Sequence, residues 1–152
     1  MRRLFAQDGS IVVDQVAPPA TPANGYLVRG ICSLISPGTE LGLLQESAGG
    51  AKKSLGYSLA GQVIESGPAA PPLPSGQLVA CAGYQWAWHA DLVAMPPLMV
   101  TPIPAGIDPR HAVFTTLGAT ALHALRQGEV TLGDRVVVIG LGVVGQLLAQ
   151  VA

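Results

Sequence analysis

Residues 136–152 of the chain, VVVIGLGVVGQLLAQVA, decide how the rest of the sequence is interpreted. Four apolar residues come first, and Gly140, Gly142 and Gly145 follow with the spacing GxGxxG. Between a strand and a helix, the first two glycines permit a tight turn and a close approach of the backbone to a pyrophosphate. The third glycine lets the helix pack against the strand, and free amides at the helix start attract the anion. The pattern predicts a dinucleotide-binding loop formed by Gly140, Leu141, Gly142, Val143, Val144 and Gly145.

The same stretch is open to two further interpretations. A membrane tail anchor would account for 17 uncharged residues, but the three glycines, Gln146, Gln150 and a length below the ~20 residues of a usual span argue against it. A glycine-rich turn within an ordinary core would also produce the same letters, because short motifs have false positives.

The composition excludes several classes of protein. With 49% hydrophobic and 11% charged residues among 152, the chain is expected to fold around a core and not to be disordered. A net charge of -1 provides no positive field for nucleic acid. Cys32 and Cys81 form no metal or disulfide motif, and the start MRRLFAQDGS lacks the apolar region of a signal peptide. We therefore expect a cytoplasmic protein that binds neither nucleic acid nor membranes.

Residues 1–107 are predicted to be a β domain of many short strands. Asp8 and Gly9 suit a hairpin turn between the first two strands, because both residues tolerate positive φ. The four prolines of residues 66–76 favour an extended loop. Short strands separated by Gly and Pro are typical of a barrel or sandwich. The predicted strands are RRLFA, IVVDQV, YLVRGICSLI, SLAGQVIES, GQLVACAG, AWHADLVAM and LMVTPI.

Residues 108–128 are predicted to be a connecting helix. Asp108 can cap free amides and Pro109 suits the first turn. Apolar residues then recur at three- and four-residue steps, with Gly118 as a point where the helix could divide. After Gly128, the run RVVVI lacks polar alternation, which predicts a parallel strand covered on both faces.

Three segments together resemble the medium-chain dehydrogenase/reductase superfamily, which includes zinc-type alcohol dehydrogenases and quinone oxidoreductases. They are GYSLAGQVIESG (56–67), GQLVACAGYQWAWHADLVAMPPLMVTPIPAGIDP (76–109) and TTLGATALHALRQGEVTLGDRVVVIGLGVVGQLLAQVA (115–152). The resemblance implies a mainly β, GroES-like barrel domain over residues 1–107 and a Rossmann domain that begins at residue 129. Residues 129–152 would supply only its first strand, glycine loop and first helix, so the chain is expected to be truncated after the first βα turn.

The resemblance also predicts that zinc is absent. In SLISPGTEL, Ser36 stands near the position of the family's zinc-binding cysteine, and Cys32 falls four residues too early. Gly56, Tyr57 and Ser58 replace the family's Gly-His-Glu, and its four-cysteine lobe is missing. Because hydroxyl side chains are not usual zinc ligands, the chain is similar to a zinc-lacking branch and no metal ligand is assigned.

Catalytic roles implied by the resemblance fall on hydroxyl groups. Thr39 and Tyr57 could donate or relay a proton to a substrate oxygen, with ordinary packing as the alternative for each. Thr120 stands near a family threonine beside the nicotinamide, with a bond to its own helix backbone as the alternative. His89, between Trp88 and Ala90 in a predicted strand, is interpreted as structural, and His111 and His123 as helix-surface residues.

The resemblance therefore implies the first portion of a zinc-independent oxidoreductase that uses NAD or NADP. Hydride would pass between the nicotinamide and a carbonyl, an alcohol or an activated alkene of a small molecule. The 152 residues alone are expected to be inactive and to need a companion chain, a missing C-terminal part or a second copy. The alternative is a stand-alone GroES-like module that binds or assembles with a partner and has no redox activity.

Overall fold

The structure is a computed structural model that describes residues 1–152. The chain contains eight strands, four α-helices and one 3₁₀-helix (Pro97–Met99). The strands are β1 (Arg2–Gln7), β2 (Ser10–Gln15), β3 (Tyr26–Ser33), β4 (Lys53–Ser54), β5 (Ser58–Ser66), β6 (Leu78–Ala82), β7 (Leu92–Met95) and β8 (Val100–Pro102). The helices are α1 (Pro37–Glu46), α2 (Pro109–Ala112), α3 (Thr115–Gln127) and α4 (Val143–Val151).

The strands form two antiparallel sheets. A three-stranded sheet has the order β2-β1-β4, and a five-stranded sheet has the order β7-β3-β5-β6-β8. An isolated bridge between Arg3 and Ala90 joins β1 to the segment that leads into β7. The predicted hairpin is confirmed, since β1 pairs with β2 and the turn residues Asp8 and Gly9 have φ values of 49° and 71°.

The main apolar cluster of the β domain is built on the five-stranded sheet. Strand β5 pairs on both sides, and its first four residues are all buried. Side chains from β3, β6 and β7 complete the cluster, so the loops at the ends of this sheet are attached to a well-packed core. The larger side chains of this cluster that are almost fully buried are those of Val28, Leu59, Val63, Val79, Cys81, Val93 and Met95.

Contacts divide the chain into two compact units, Met1–Val113 and Phe114–Ala152. The first unit contains all eight strands together with α1 and α2, and α2 packs on β3, β5 and β6. The second unit contains α3 and α4, which pack against each other. No helix in the chain combines the length and the apolar character that crossing a membrane requires.

Helix α1 is a departure from the sequence-based prediction of strands alone over residues 1–107. Pro37 begins the first turn, and the Glu40 carboxylate accepts a hydrogen bond from the Ser36 amide at 3.0 Å. The fixed φ of proline and an acceptor for a free amide both favour a helix start. A serine before a proline, followed by an acidic residue in the first turn, was the available signal.

The predicted strand AWHADLVAM is wrong over its first half. Only Leu92–Met95 pairs as β7, and residues 83–91 form a turn in which the amides of Trp86 and Ala87 both donate to the Gly83 carbonyl. Gln85 has a φ of 74°, which ends any extended run. His89 therefore lies in a loop and not in a strand.

The connecting helix is also divided differently from the prediction. Asp108 caps α2 as expected, because its side chain accepts from the Arg110 amide at 2.8 Å. The break falls at Val113 and Phe114, however, and not at Gly118, which lies inside α3. The Val113 carbonyl accepts a hydrogen bond from the Ser58 hydroxyl at 2.6 Å, and this contact engages an acceptor that a continuous helix uses for its own backbone.

The predicted strand RVVVI is absent. Residues 135–141 have no regular secondary structure, and the side chains of Val137 and Ile139 are exposed. A strand needs a hydrogen-bonded neighbour, and no segment of the second unit pairs with these residues. The apolar run lies where the sequence shows it, but it can form a strand only beside another strand, which the neighbouring residues do not provide.

Candidate functional site

The glycine loop of the second unit has the local geometry that its spacing predicts. Gly140 has a φ of 91°, a conformation that favours glycine over any other residue. At Gly145, an added Cβ would lie 1.9 Å from the Gly140 carbonyl oxygen, so the helix start and the turn approach too closely for a side chain. Gly140 and Gly145 are thus required by the backbone itself.

The space in front of α4 can accept an anion. Gly142 is the residue that caps α4, and a Cβ placed there would meet no atom within 4 Å. The first amides of a helix have no acceptor within it, and its dipole attracts negative charge. The amides of Val143 and Val144 open this nine-residue helix and point towards its N-terminal end. These residues fit the pyrophosphate of a dinucleotide.

Thr120, the other residue predicted near a cofactor, lies on α3. Its hydroxyl donates to the Thr116 carbonyl at 3.1 Å, and the side chain is exposed. This bond to the helix backbone is the ordinary alternative to a place beside the nicotinamide, and the cofactor role stays a prediction. His111 and His123 are exposed on α2 and α3.

In the first unit, the structure brings Tyr57 and Ser36 together. The Tyr57 hydroxyl donates to Ser36 Oγ at 2.5 Å, and both side chains are partly buried. Thr39 lies one turn further along α1, where its side chain is exposed. Of the two hydroxyl residues predicted as catalytic, Tyr57 therefore has a hydroxyl neighbour within hydrogen-bond distance, which is the arrangement a proton relay needs.

A largely buried acid and a buried histidine lie next to this hydroxyl pair. His89 Nε2 is 3.1 and 3.0 Å from the two carboxylate oxygens of Glu40, and His89 Nδ1 is 2.7 Å from Ser33 Oγ. The side chains of His89 and Glu40 are only 6% and 11% exposed. An ionised carboxylate only accepts, so Nε2 is the donating nitrogen. Sequence reasoning missed this pair, because nothing local connects two residues so far apart in the chain.

The residues around Ser36 and Tyr57 do not fit a zinc ion. Ser58 donates its hydroxyl to the Val113 carbonyl, and no group of three or more His, Cys, Asp or Glu side chains in the chain could hold a metal. Burial raises the pKa of the Cys81 thiol to about 12, and burial also raises the pKa of Cys32.

An apolar groove of about 580 Å³ lies beside α1 and the β1–β2 hairpin. Ile11 and Val13 of β2 and Leu41 of α1 line it with exposed side chains, and Glu40 and His89 lie in its wall. A concave apolar surface with a few polar groups is the usual form of a small-molecule site.

Comparisons with known proteins agree with this fold. No family model matches the chain. A sorbitol dehydrogenase of Halalkalibacterium halodurans is 46% identical over 50 residues, which are 33% of this chain and 15% of that protein. Galactitol-1-phosphate dehydrogenase of Escherichia coli superposes with a TM-score of 0.87 at 17% identity, over 99% of this chain and 52% of that one.

A second solved structure was obtained with a cofactor. The putative zinc-binding dehydrogenase of Sinorhizobium meliloti, bound to NADP, has a TM-score of 0.80 at 22% identity, over 99% of this chain and 52% of that one. The chain thus spans about half the length of these structures. As predicted, its fold is a GroES-like β domain followed by the start of a Rossmann domain.

Proposed function

We propose that the chain is part of a zinc-independent, NAD(P)-dependent oxidoreductase. It would transfer hydride between a nicotinamide and a carbonyl, an alcohol or an activated alkene of a small molecule in the cytoplasm. The observation that carries this proposal is the glycine loop, in which Gly140 and Gly145 have the geometry of a pyrophosphate loop on a fold shared with an NADP-bound dehydrogenase. A companion chain, a further part of the protein or a second copy would complete the site.

The second unit would hold the cofactor by its diphosphate. The backbone of Leu141 and Gly142 would approach the pyrophosphate, and the amides of Val143 and Val144 would donate to its oxygens. Gly145 allows that approach by keeping the helix close to the turn. Thr120 is proposed as a neighbour of the nicotinamide. When bound, NAD(P) supplies the hydride or accepts it.

The first unit would supply the proton. Tyr57 Oη would donate its proton to the substrate oxygen as negative charge develops there, and Ser36 Oγ, at 2.5 Å, would relay a proton from solvent water back to Tyr57 Oη. Thr39, exposed on the same helix, is a second candidate donor. In this arrangement, hydroxyl groups and not a metal ion would polarise the substrate oxygen. The hydroxyls of Ser36 and Tyr57, which are not usual zinc ligands, support this part of the proposal. One zinc ion per purified chain, found by metal analysis, would contradict that part of the proposal.

The proposal is tested with the full-length product of the gene. We expect oxidation of NADH or NADPH at 340 nm with a carbonyl or activated-alkene substrate. Gly142→Ala places a methyl group where the diphosphate would lie, and should raise the Kd of the cofactor about tenfold or more, a cost of ~1.4 kcal/mol or above. Gly118→Ala is the matched control, because its Cβ also meets no atom within 4 Å but lies inside α3. Equal cofactor affinity in both variants would contradict the proposal.

The groove beside α1 favours a second candidate function, a binding module without redox activity. Its exposed Ile11, Val13 and Leu41 would hold an apolar ligand or partner. Val13→Glu should then abolish binding of an apolar fluorescent probe and leave any cofactor binding unchanged. Probe binding that survives this substitution would contradict the module.

A further inference from the structure

We propose that Glu40 and His89 are positioning residues that hold Ser36 and Tyr57 in a fixed relation. The catalytic meaning of this inference rests on the proposed function. The positions of Glu40 and His89 are established by distances within the first unit alone. Neither side chain donates a proton in the proposed reaction, so the inference gives these two polar side chains a separate role.

Glu40 fixes the position of Ser36. Its Oε1 accepts from the Ser36 amide at 3.0 Å and also faces His89 Nε2 at 3.1 Å, while Oε2 is 3.0 Å from the same nitrogen. The Glu40 carboxylate therefore binds both the backbone amide of Ser36, the N-cap residue of α1, and the imidazole ring of His89. Hydrogen bonds to a charged group are shorter and stronger than neutral ones, so this contact restricts Ser36 more than an ordinary cap would.

His89 contacts the segment that carries Tyr57 through its backbone amide and through the edge of its ring. Its amide donates to the Leu55 carbonyl at 3.0 Å, and a Cβ on Gly56 would lie 2.5 Å from the His89 nitrogen. The histidine backbone and ring thus pack directly against the residue that precedes Tyr57. Ser33 Oγ, 2.7 Å from Nδ1, holds the other side of the ring.

The two contacts converge on one hydrogen bond. Ser36 is held by Glu40, the Tyr57 segment is held by His89, and Glu40 and His89 bind each other. The Tyr57 hydroxyl then meets Ser36 Oγ at 2.5 Å. A buried polar pair is seldom more stabilising than apolar side chains of similar size, so stability alone does not explain why these side chains lie here. Their geometric effect on Ser36 and Tyr57 does.

The test compares Glu40→Gln and His89→Gln with Glu46→Gln in the full-length gene product. Glu46 is the matched control, because it lies on the same helix but is exposed and pairs only with Lys53 at 3.5 Å. Selective labelling follows the Ser36 amide and the ¹³Cζ signal of Tyr57, and Tyr26, which donates to the Pro71 carbonyl, serves as the internal reference. Kinetics of hydride transfer are measured on the same samples.

We expect the Ser36 amide to exchange about 3- to 10-fold faster in Glu40→Gln, because a neutral acceptor replaces the carboxylate, and also faster in His89→Gln, because the carboxylate of Glu40 loses the imidazole that holds it. The Tyr57 signal should shift while that of Tyr26 does not. The value of kcat should fall by about 10- to 100-fold with KM unchanged, because binding is kept and orientation is lost. Glu46→Gln should change none of these.

Folded variants with an unchanged Ser36 amide and Tyr57 signal would overturn the inference. If Glu40→Gln does not fold, Ser33→Ala tests the same network from the far side of the imidazole, and should shift the Tyr57 signal in the same direction by a smaller amount. A wild-type protein that transfers no hydride, but whose Tyr57 signal responds to these variants, would reject the proposed function and leave the positioning intact.

Discussion

The two compact units differ in how far their apolar residues are buried and paired in strands. In Met1–Val113, strand β5 pairs on both sides, and side chains such as Leu59 and Val63 are buried almost completely. In Phe114–Ala152, the apolar run that precedes the glycine loop pairs with nothing, and Ile139 is exposed. Yet the glycine turn and α4 of this second unit have regular geometry.

The comparison distinguishes structure that nearby residues determine from structure that needs residues distant in the sequence. The glycine turn depends on contacts between residues five positions apart, so local sequence is sufficient to form it. A parallel strand depends on neighbours that are distant in sequence, and it is seen only where those neighbours are present. Four measurements test this difference, beginning with the one for which the largest effect is expected.

The largest effect is expected in the core of the first unit. Leu59→Ala removes a side chain that is buried in the apolar cluster, on a strand paired on both sides, and should lower the free energy of unfolding by about 2–5 kcal/mol, because a cavity remains. Urea denaturation followed by fluorescence would measure it. A loss below about 1 kcal/mol would mean that the β domain is less tightly packed than described.

Gly145→Ala should have the next largest effect, confined to the second unit. Its Cβ would lie 1.9 Å from the Gly140 carbonyl oxygen, so the turn must open, at a cost of about 1–3 kcal/mol. Amide hydrogen exchange should show that α4 loses protection while β3 and β5 keep theirs. Loss of protection throughout both units would contradict the view that the turn is a local structure.

The acid sensitivity of the α2 cap should be smaller. The hydrogen bond from the Arg110 side chain, followed by that from its amide, lowers the pKa of Asp108 from 3.8 to about 2. Because the folded-state pKa is the lower one, the stabilisation is present above about pH 3.8 and is lost as the pH falls through about 2. Protection of the α2 amides should decrease over this range, and Asp108→Asn should remove this part of the pH dependence. An identical acid profile in both proteins would show that Asp108 is not the group that titrates.

The smallest effect is expected for an exposed leucine of the second unit. Leu132→Ala makes the same chemical change as Leu59→Ala, but its side chain is fully exposed. The free energy of unfolding should change by less than about 0.5 kcal/mol. A change comparable to that of Leu59→Ala in the same denaturation experiment would show that Leu132 is buried in solution.

Sequence reasoning succeeded where the cause is local. Asp8 and Gly9 predicted the hairpin, Asp108 and Pro109 predicted a helix start, and the glycine spacing predicted the turn before α4. Each of these features depends on residues within a few positions of one another. The family resemblance added the prediction of a GroES-like domain followed by the start of a Rossmann domain. The solved structures confirm this fold.

The features that sequence reasoning missed depend on distant contacts. The pairing of His89 with Glu40 joins a loop after β6 to the first turn of α1. The alternating pattern around Trp88 suggested a strand, whereas Gln85 turns the chain and brings His89 inward. No periodicity within either segment encodes their meeting, so only the fold reveals it.

The central claim is that the glycine loop binds the diphosphate of NAD(P). The most direct test is a titration of the isotope-labelled full-length gene product with NAD⁺ and NADP⁺, followed through its amide chemical shifts. We predict that at least one of the two produces its largest shifts at the amides of residues 141–145. No saturable shift with either cofactor, or shifts confined to the groove around Ile11 and Leu41, would contradict the claim.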